Sequence, residues 1–279
     1  MEEILKKTLI TGGNGMVGSY FDFGIKFDHA TLDITDPIQV EKIFNEHKPK
    51  VVIHLAAATD VDRCEREPQY AYLVNGVGTW NVASAAKKIG AKVIYISTVY
   101  VFDGKKKGPY VEDDEPSAPN YYGRSKYFGE VIIQGLLNDY LIIRAGWMIG
   151  GGPDKDKKFI AKIIKQLGQS EIKAVTDMVG SITYGKDLAA KIKELILAPQ
   201  TDTKILHAFN EGFASRYDIA AEIVKIMGSK TTVTPVDSSY FNLDASRSHS
   251  DIMDSKSGGK MRPWQEALKD YIASEWTSR

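Results

Sequence analysis

KTLITGGNGMVG, residues 7–18, decides the fold. KTLIT reads as a strand. It runs into a turn holding Gly12, Gly13, Gly15 and Gly18, which opens a short helix over 16–21. Strand, glycine turn and helix in that order are the setting a dinucleotide fingerprint requires. Gly12 or Gly13 makes the tight turn, Gly15 lets the backbone approach a pyrophosphate, and Gly18 lets the helix pack on the sheet. Met16 and Val17 lie in the same loop. Phosphate would then sit where free N–H groups and the helix dipole favour an anion. A glycine-rich turn that holds no ligand is the plain alternative.

Outward from this stretch the alternation repeats. IKFD (25–28) and TLDI (31–34) are short strand candidates. Asp36 and Pro37 open a helix to about His47, since Asp is a good N-cap and Pro suits the first turn. VVIHLAA (51–57), KVIYIST (92–98) and YLIIRAGW (140–147) are apolar enough to be covered on both faces, the mark of a parallel sheet. Helices over 69–89, ended by Gly90, and over 121–137 separate them. This pattern predicts an α/β fold with a doubly wound parallel sheet, the Rossmann arrangement. After the polar break GGGPDKDKK (150–158) the pattern loosens. Helices are expected over 158–168, 186–197, 215–227 and 263–276, strands over 204–209 and 231–236, and a loop over 237–259. A dinucleotide-binding domain would occupy 1–149, its sheet completed by 183–211. A second, smaller and discontinuous substrate lobe would use 150–182 and 212–279.

The chain has 279 residues, with 36 Lys plus Arg against 36 Asp plus Glu. Zero formal charge leaves no electrostatic footprint for nucleic acid or an anionic membrane. An apolar fraction of 43% argues against disorder. No stretch approaches the ~18 apolar residues of a membrane span. MEEILKK has acids where a signal peptide needs bases. One cysteine, Cys64, permits no intrachain disulfide. The expectation is a cytoplasmic, metabolite-handling protein with no nucleic-acid or membrane partner. Its oligomeric state is open, a homodimer included.

An acid at the end of the second strand normally receives the adenine ribose hydroxyls. Asp28 is the candidate, and a carboxylate there repels a 2′-phosphate and leans toward NAD. A solvated loop acid is the alternative, and Asp33 in LDITD (32–36) could instead lie beside the adenine. YGRSK (122–126) puts Tyr122 and Lys126 at i and i+4, on one helix face. An ammonium beside a phenol lowers its pKa from ~10. Tyr122 could then protonate an oxygen as hydride reaches carbon, and Lys126 could also hold the nicotinamide ribose. A solvated helix face would carry the same residues. STVYVFDG (97–104) ends a central strand, where such sheets bind ligands. Thr98 or Ser97 offers a hydroxyl there, unless both merely cap the strand end. His54 reads as a core histidine and Cys64 as a spectator. Asp60, Asp62 and Glu65 crowd a loop without a metal-ligand pattern, so no metal is expected.

LITGGNGMVG, LDITDP, KPKVVIHLAAATDVDRCE, VNGVGTWNVASAAKKIGA, STVYVFDG, EDDEPSAPNYYGRSKYFGE, IIRAGW, GSITYGKDLA and PWQEALKDYI together carry a resemblance. The chain resembles the extended short-chain dehydrogenase/reductase family, and within it the dTDP-4-dehydrorhamnose reductase group. The resemblance covers nearly the whole chain and weakens between 228 and 260. It implies catalytic places for Thr98, Tyr122 and Lys126. It implies cofactor contacts at Ala56, Ala57, Ala58 and Ser97, and adenine contacts at Asp33 and Ile34. Val61, Tyr100, Trp147 and Arg247 fall at sugar-nucleotide contacts. Two departures stand out. The family has Asp where this chain has Val99. The segment SRSHSDIMD (246–254) keeps Arg247 and Ser250 but lacks the proline that follows the arginine in the family.

The activity implied is reduction of the 4-keto group of a nucleotide-linked 6-deoxysugar by NADH or NADPH. A nucleotide-sugar epimerase or dehydratase of the same fold is the first rival. A 4,6-dehydratase needs an acidic pair beside the catalytic hydroxyl, which Val99 does not supply. A non-catalytic, nucleotide-binding regulatory subunit is the second, and it has no need of Thr98, Tyr122 and Lys126. If Val99 lines the sugar pocket, Val99→Asp should raise kcat/KM for the rhamnose precursor about tenfold. If Val99 points into the core, the change only destabilises.

Overall fold

In the computed structural model, which describes residues 2–199 and 202–277, the apolar runs become a sheet. Its strands and those of a separate pair are β1 (Thr8–Thr11), β2 (Ile25–Phe27), β3 (Val51–His54), β4 (Lys92–Thr98), β5 (Tyr140–Ala145), β6 (Trp147–Ile149), β7 (Glu171–Val175), β8 (Val179–Tyr184), β9 (Ile205–Ser215), β10 (Thr232–Val236), β11 (Ser250–Asp251) and β12 (Lys260–Pro263). The large sheet runs β11-β8-β9-β5-β4-β3-β1-β2, with β6 on β8 and β12 on β9; β7 and β10 pair with each other. From β2 to β9 neighbouring strands are parallel, and β8 is antiparallel to β9. β1 and β3 are buried along their whole length. One face carries Val40, Phe44, Val82 and Ile133, the other Phe21, Leu188 and Ile192. A third cluster, with Trp147, Ile160, Ile219 and Trp264, fills the second lobe. The mostly parallel, doubly wound sheet matches the expectation. The winding reverses between β1 and β3, so a crevice opens beyond their carboxyl ends.

Several elements differ from the sequence reading. The helix expected over 16–21 is a single 3₁₀ turn, Gly18–Tyr20, because Phe21 turns extended into the core and Gly24, at φ 78°, leads straight into β2. TLDI forms no strand. Leu32 donates its N–H to Asp28 O at 2.8 Å, and Leu32 and Ile34 are buried with Val40 and Val82. The long helix over 69–89 is α-helical at Pro68–Tyr72 and Thr79–Ile89, with a π-helical stretch, Leu73–Gly78, between them. β8 (Val179–Tyr184) has no counterpart among the expected strands. Its buried Ser181 and Thr183 hid the strand. Thr183 donates to Ala208 O at 2.9 Å and accepts from Gly146 N at 2.8 Å, so the hydroxyl is satisfied inside the sheet. No helix among the described residues is long and apolar enough to cross a membrane.

Candidate active site

The glycine turn follows β1 directly. Gly12 has φ +68°, and a Cβ there would lie 2.8 Å from Ala56 N. Gly13 donates its N–H to Phe27 O at 2.8 Å, which fastens the turn to β2. A Cβ on Gly18 would lie 2.5 Å from Gly12 O, so the chain closes on itself at that point. Asn14 and Gly15 are exposed, and a Cβ on Gly15 would meet only Gly12 O. The turn therefore presents bare backbone outward, a cradle that fits a dinucleotide pyrophosphate. Met16 and Val17 are half-buried beside it. With only one 3₁₀ turn behind them, local N–H groups rather than a helix dipole would hold the anion.

A buried network ties the cradle down. Thr79 donates its hydroxyl to Asn75 O at 2.7 Å, so His54 Nε2 donates to Thr79 and Nδ1 accepts from Thr11 at 2.7 Å. Burial pushes His54 down to about 3, which keeps it a neutral core residue as expected. Thr11 Oγ then accepts from Ala56 N at 3.2 Å. Ala57 follows, and Ala58 N donates to Asn75 Oδ1 at 2.8 Å. Asn75 Nδ2 donates to Ala58 O and to Ser125 Oγ. Asn75 went unnoticed in the sequence; a lone asparagine in the apolar run LVNGVG was its only signal. Asp28 stands just after β2. Its bonds from Thr31, and from Asn14 of the glycine turn, hold it below the usual carboxylate range. Asp33 is held down likewise by the N–H and hydroxyl of Thr35. Ile34 is buried, and its carbonyl accepts from Asn81 at 2.9 Å.

Thr98 ends β4, 5% exposed. Tyr122 stands on the helix Tyr121–Leu136, which Asn120 caps through Gly123 N at 2.9 Å. A Cβ on Gly123 would lie 2.0 Å from Tyr100 O. That backbone contact brings the Tyr122 phenol up to the Thr98 hydroxyl at the end of β4. Lys126, one turn on, is 3% exposed, with Nζ 4.1 Å from the centroid of the Tyr95 ring. Burial pushes Lys126 down to about 7, with Glu130 opposing. Burial also raises the Tyr122 phenol, and the Thr98 hydroxyl offsets this only in part. The expected lowering of Tyr122 by Lys126 is therefore corrected: here the ammonium rests on Tyr95 and desolvation dominates. The Ser97 hydroxyl donates to buried Glu130, whose carboxylate also takes Nε and Nη2 of Arg144 at 2.7–3.3 Å, so this side chain is engaged inside the core.

On the substrate side, Val61 opens the helix Val61–Arg66 and packs with Tyr70, Tyr100 and Tyr122. Asp60 caps that helix, and Glu65 accepts from Tyr121 N. Cys64 is buried and raised to about 11 by burial, an inert thiol. The Tyr100 ring stands edge-on to Tyr122, centroids 5.8 Å apart. Trp147 starts β6 and donates Nε1 to Asp251 Oδ2 at 2.8 Å. Arg247 donates to Asp62 Oδ1 and to Ala245 O, both at 2.9 Å. Arg216, which nothing in the sequence marked, lies with Cζ 3.7 Å from the Trp147 ring centroid, its guanidinium facing the Tyr100 phenol. Val99 is 0% exposed within the lobe's apolar cluster, so its side chain belongs to the core and not to the sugar pocket.

Residues 6–276 match the family model of the RmlD substrate binding domain. The chain is 34% identical over 290 residues to the dTDP-4-dehydrorhamnose reductase of Mycolicibacterium smegmatis, covering 98% of this chain and 87% of that one. It is similar to the crystal structure of dTDP-4-dehydrorhamnose reductase from Yersinia enterocolitica, with TM-score 0.88, 42% identity, and 96% and 98% of the two chains covered. It is likewise similar to the Bacillus anthracis reductase solved in complex with NADP, with TM-score 0.90, 34% identity and the same coverage of 96% and 98%.

Proposed function

Because the chain belongs to the RmlD substrate binding domain family, we propose that it reduces the 4-keto group of a nucleotide-linked 6-deoxysugar, as dTDP-4-dehydrorhamnose reductase does. It is an NAD(P)H-dependent oxidoreductase. The observation that carries the reading is the meeting of Thr98 and Tyr122 at the end of β4, with Lys126 one turn on.

The glycine turn would hold the pyrophosphate, Asp28, Asp33 and Ile34 the adenosine end, and Ala56 to Ala58 the path toward the nicotinamide. The reduced nicotinamide, when bound, supplies a hydride to C4 of the sugar. Thr98 orients the sugar oxygen, and Tyr122 gives it a proton. Burial keeps the phenol protonated at neutral pH, which suits a donor rather than a base. As negative charge develops on Tyr122, Lys126 is drawn toward its ammonium form. Val61, Tyr100 and Trp147 exclude water from the reacting oxygen. Residues 150–182 and 212–279 serve as the substrate lobe. Exposed Leu73, Val77, Trp80, Phe128 and Val131 support a homodimer.

The test is loss of NADH or NADPH absorbance on adding dTDP-4-dehydrorhamnose. Tyr122→Phe should cut that turnover by about 10²–10⁴ and leave dinucleotide affinity unchanged. An epimerase would interconvert sugars without net consumption of reduced cofactor. No absorbance loss with any dTDP-4-keto-6-deoxysugar would overturn the reading.

A further inference from the structure

The 246–254 segment brings one buried carboxylate to the edge of the substrate side. Asp251 is 0% exposed. It sits in β11, paired with Gly180 of β8. One carboxylate oxygen accepts from Trp147 Nε1 at 2.8 Å and the other from the Ser248 hydroxyl. Arg216, the first residue of the helix Arg216–Ile226, and Arg247 both face it. Gly180 makes the arrangement possible: a Cβ there would lie 2.6 Å from Trp147 Cε2 and 3.0 Å from Asp251 Cβ. Contacts then continue outward. Arg216 stacks on Trp147 and faces the Tyr100 phenol, and the Tyr100 ring stands against Tyr122. Asp251 is sealed off, while Arg216 is only half-buried. A guanidinium has five N–H donors in a fixed fork, so its stack on the Trp147 ring, which Asp251 holds in place, sets where those donors point.

We propose that Asp251 is a positioning residue, fixing the Trp147 indole and the Arg216 guanidinium as one wall of the sugar pocket, with Arg216 donating to substrate oxygens. This rests on the ketoreductase reading above. The groups facing Asp251 are Arg216, Arg247, Tyr100, Trp147 and Ser248. Burial raises its carboxyl to about 6, so as pH falls through about 6 the anchor for Arg216 is neutralised and KM rises.

Asp251→Asn keeps the size and an acceptor for Trp147 but removes the charge. KM for dTDP-4-dehydrorhamnose should rise about tenfold with kcat within about twofold. The rise in KM expected of the parent below about pH 6 should vanish, and NADH affinity should be unchanged. Arg216→Ala should reproduce the KM effect, and the double variant should be no worse than either single change, the signature of coupled residues. If Asp251→Asn fails to fold, Trp147→Phe, which deletes the indole N–H, and Arg216→Ala carry the test. Unchanged KM in both overturns the proposal, as does an Asp251→Asn that melts lower with KM and its pH profile intact. A parent enzyme that consumes no reduced cofactor defeats the ketoreductase reading instead, so the two failures are distinct.

Discussion

Lys126 is buried on the Tyr95 ring and pushed from its ordinary 10.5 down to about 7 by desolvation. A base whose folded pKa lies below its unfolded one destabilises the fold at every pH where the unfolded chain is protonated, and the penalty changes with pH only between the two values. That penalty is absent well above pH 10.5, grows as pH falls toward about 7, and is constant below. Lys126→Met should therefore raise the melting temperature at pH 7 while lowering kcat; a melt and a turnover assay on one preparation check both, and a lower melting temperature would contradict the argument. The free enzyme should also lose kcat/KM as pH rises through about 7, where the ammonium is lost. Asp28 faces Asn14 of the glycine turn and is held ionised by Thr31. NADH should thus be accepted at least as well as NADPH, and Asp28→Ala should erode that preference. The ratio of kcat/KM for the two cofactors measures it; a wild type that uses NADPH alone would sink the argument.

At the scale of elements, backbone proximity positions the chemistry. The helix Tyr121–Leu136 touches the β4 loop at Gly123, which sets Tyr122 against Thr98. The π-helical stretch Leu73–Gly78 turns Asn75 inward to clamp Ala58 and Ser125. The 3₁₀ turn Val99–Val101 buries Val99 and Val101 and leaves Tyr100 at the site. A carboxylate at 99 would enter the core unpaired, at a cost on the order of 3 kcal/mol. Val99→Asp should then lower the melting temperature by roughly 5–10 °C with no gain in kcat/KM. A kinetic gain would reopen the case for Val99 as a pocket residue.

At the scale of the molecule, one polar network joins its early and late segments. Ser97, Glu130 and Arg144 link β4, the helix Tyr121–Leu136 and β5. Arg144 continues to Glu112 O, and the Glu112 carboxylate accepts from His207 N of β9, Ser255 and Lys256. Breaking a buried ion pair on one side leaves the partner charge uncompensated, typically about 3–5 kcal/mol. Glu130→Gln should lower stability by that order, and calorimetry should show one unfolding transition in both proteins. Two resolved transitions in the parent would mean that the lobes fold independently.

The amino-acid sequence by itself determined what depends on near neighbours. Gly12 and Gly18 mark the turn because φ and close approach act within a few residues, Asp36 and Pro37 mark a helix start through capping, and Tyr122 and Lys126 share a face because i and i+4 always do. The parallel sheet was legible because strands covered on both faces are uniformly apolar. Tertiary structure alone decided where the polar side chains go. Asn75 finds Ser125 across 50 residues, Ser97 finds Glu130 across 33, and Trp147 finds Asp251 across 104. A buried polar group must find a partner, but any fold-adjacent segment can supply it. No local period records that choice, so the two readings of Val99 stayed open, the partner of Ser97 was hidden, and Arg216 and Asp251 were silent until the chain closed around them.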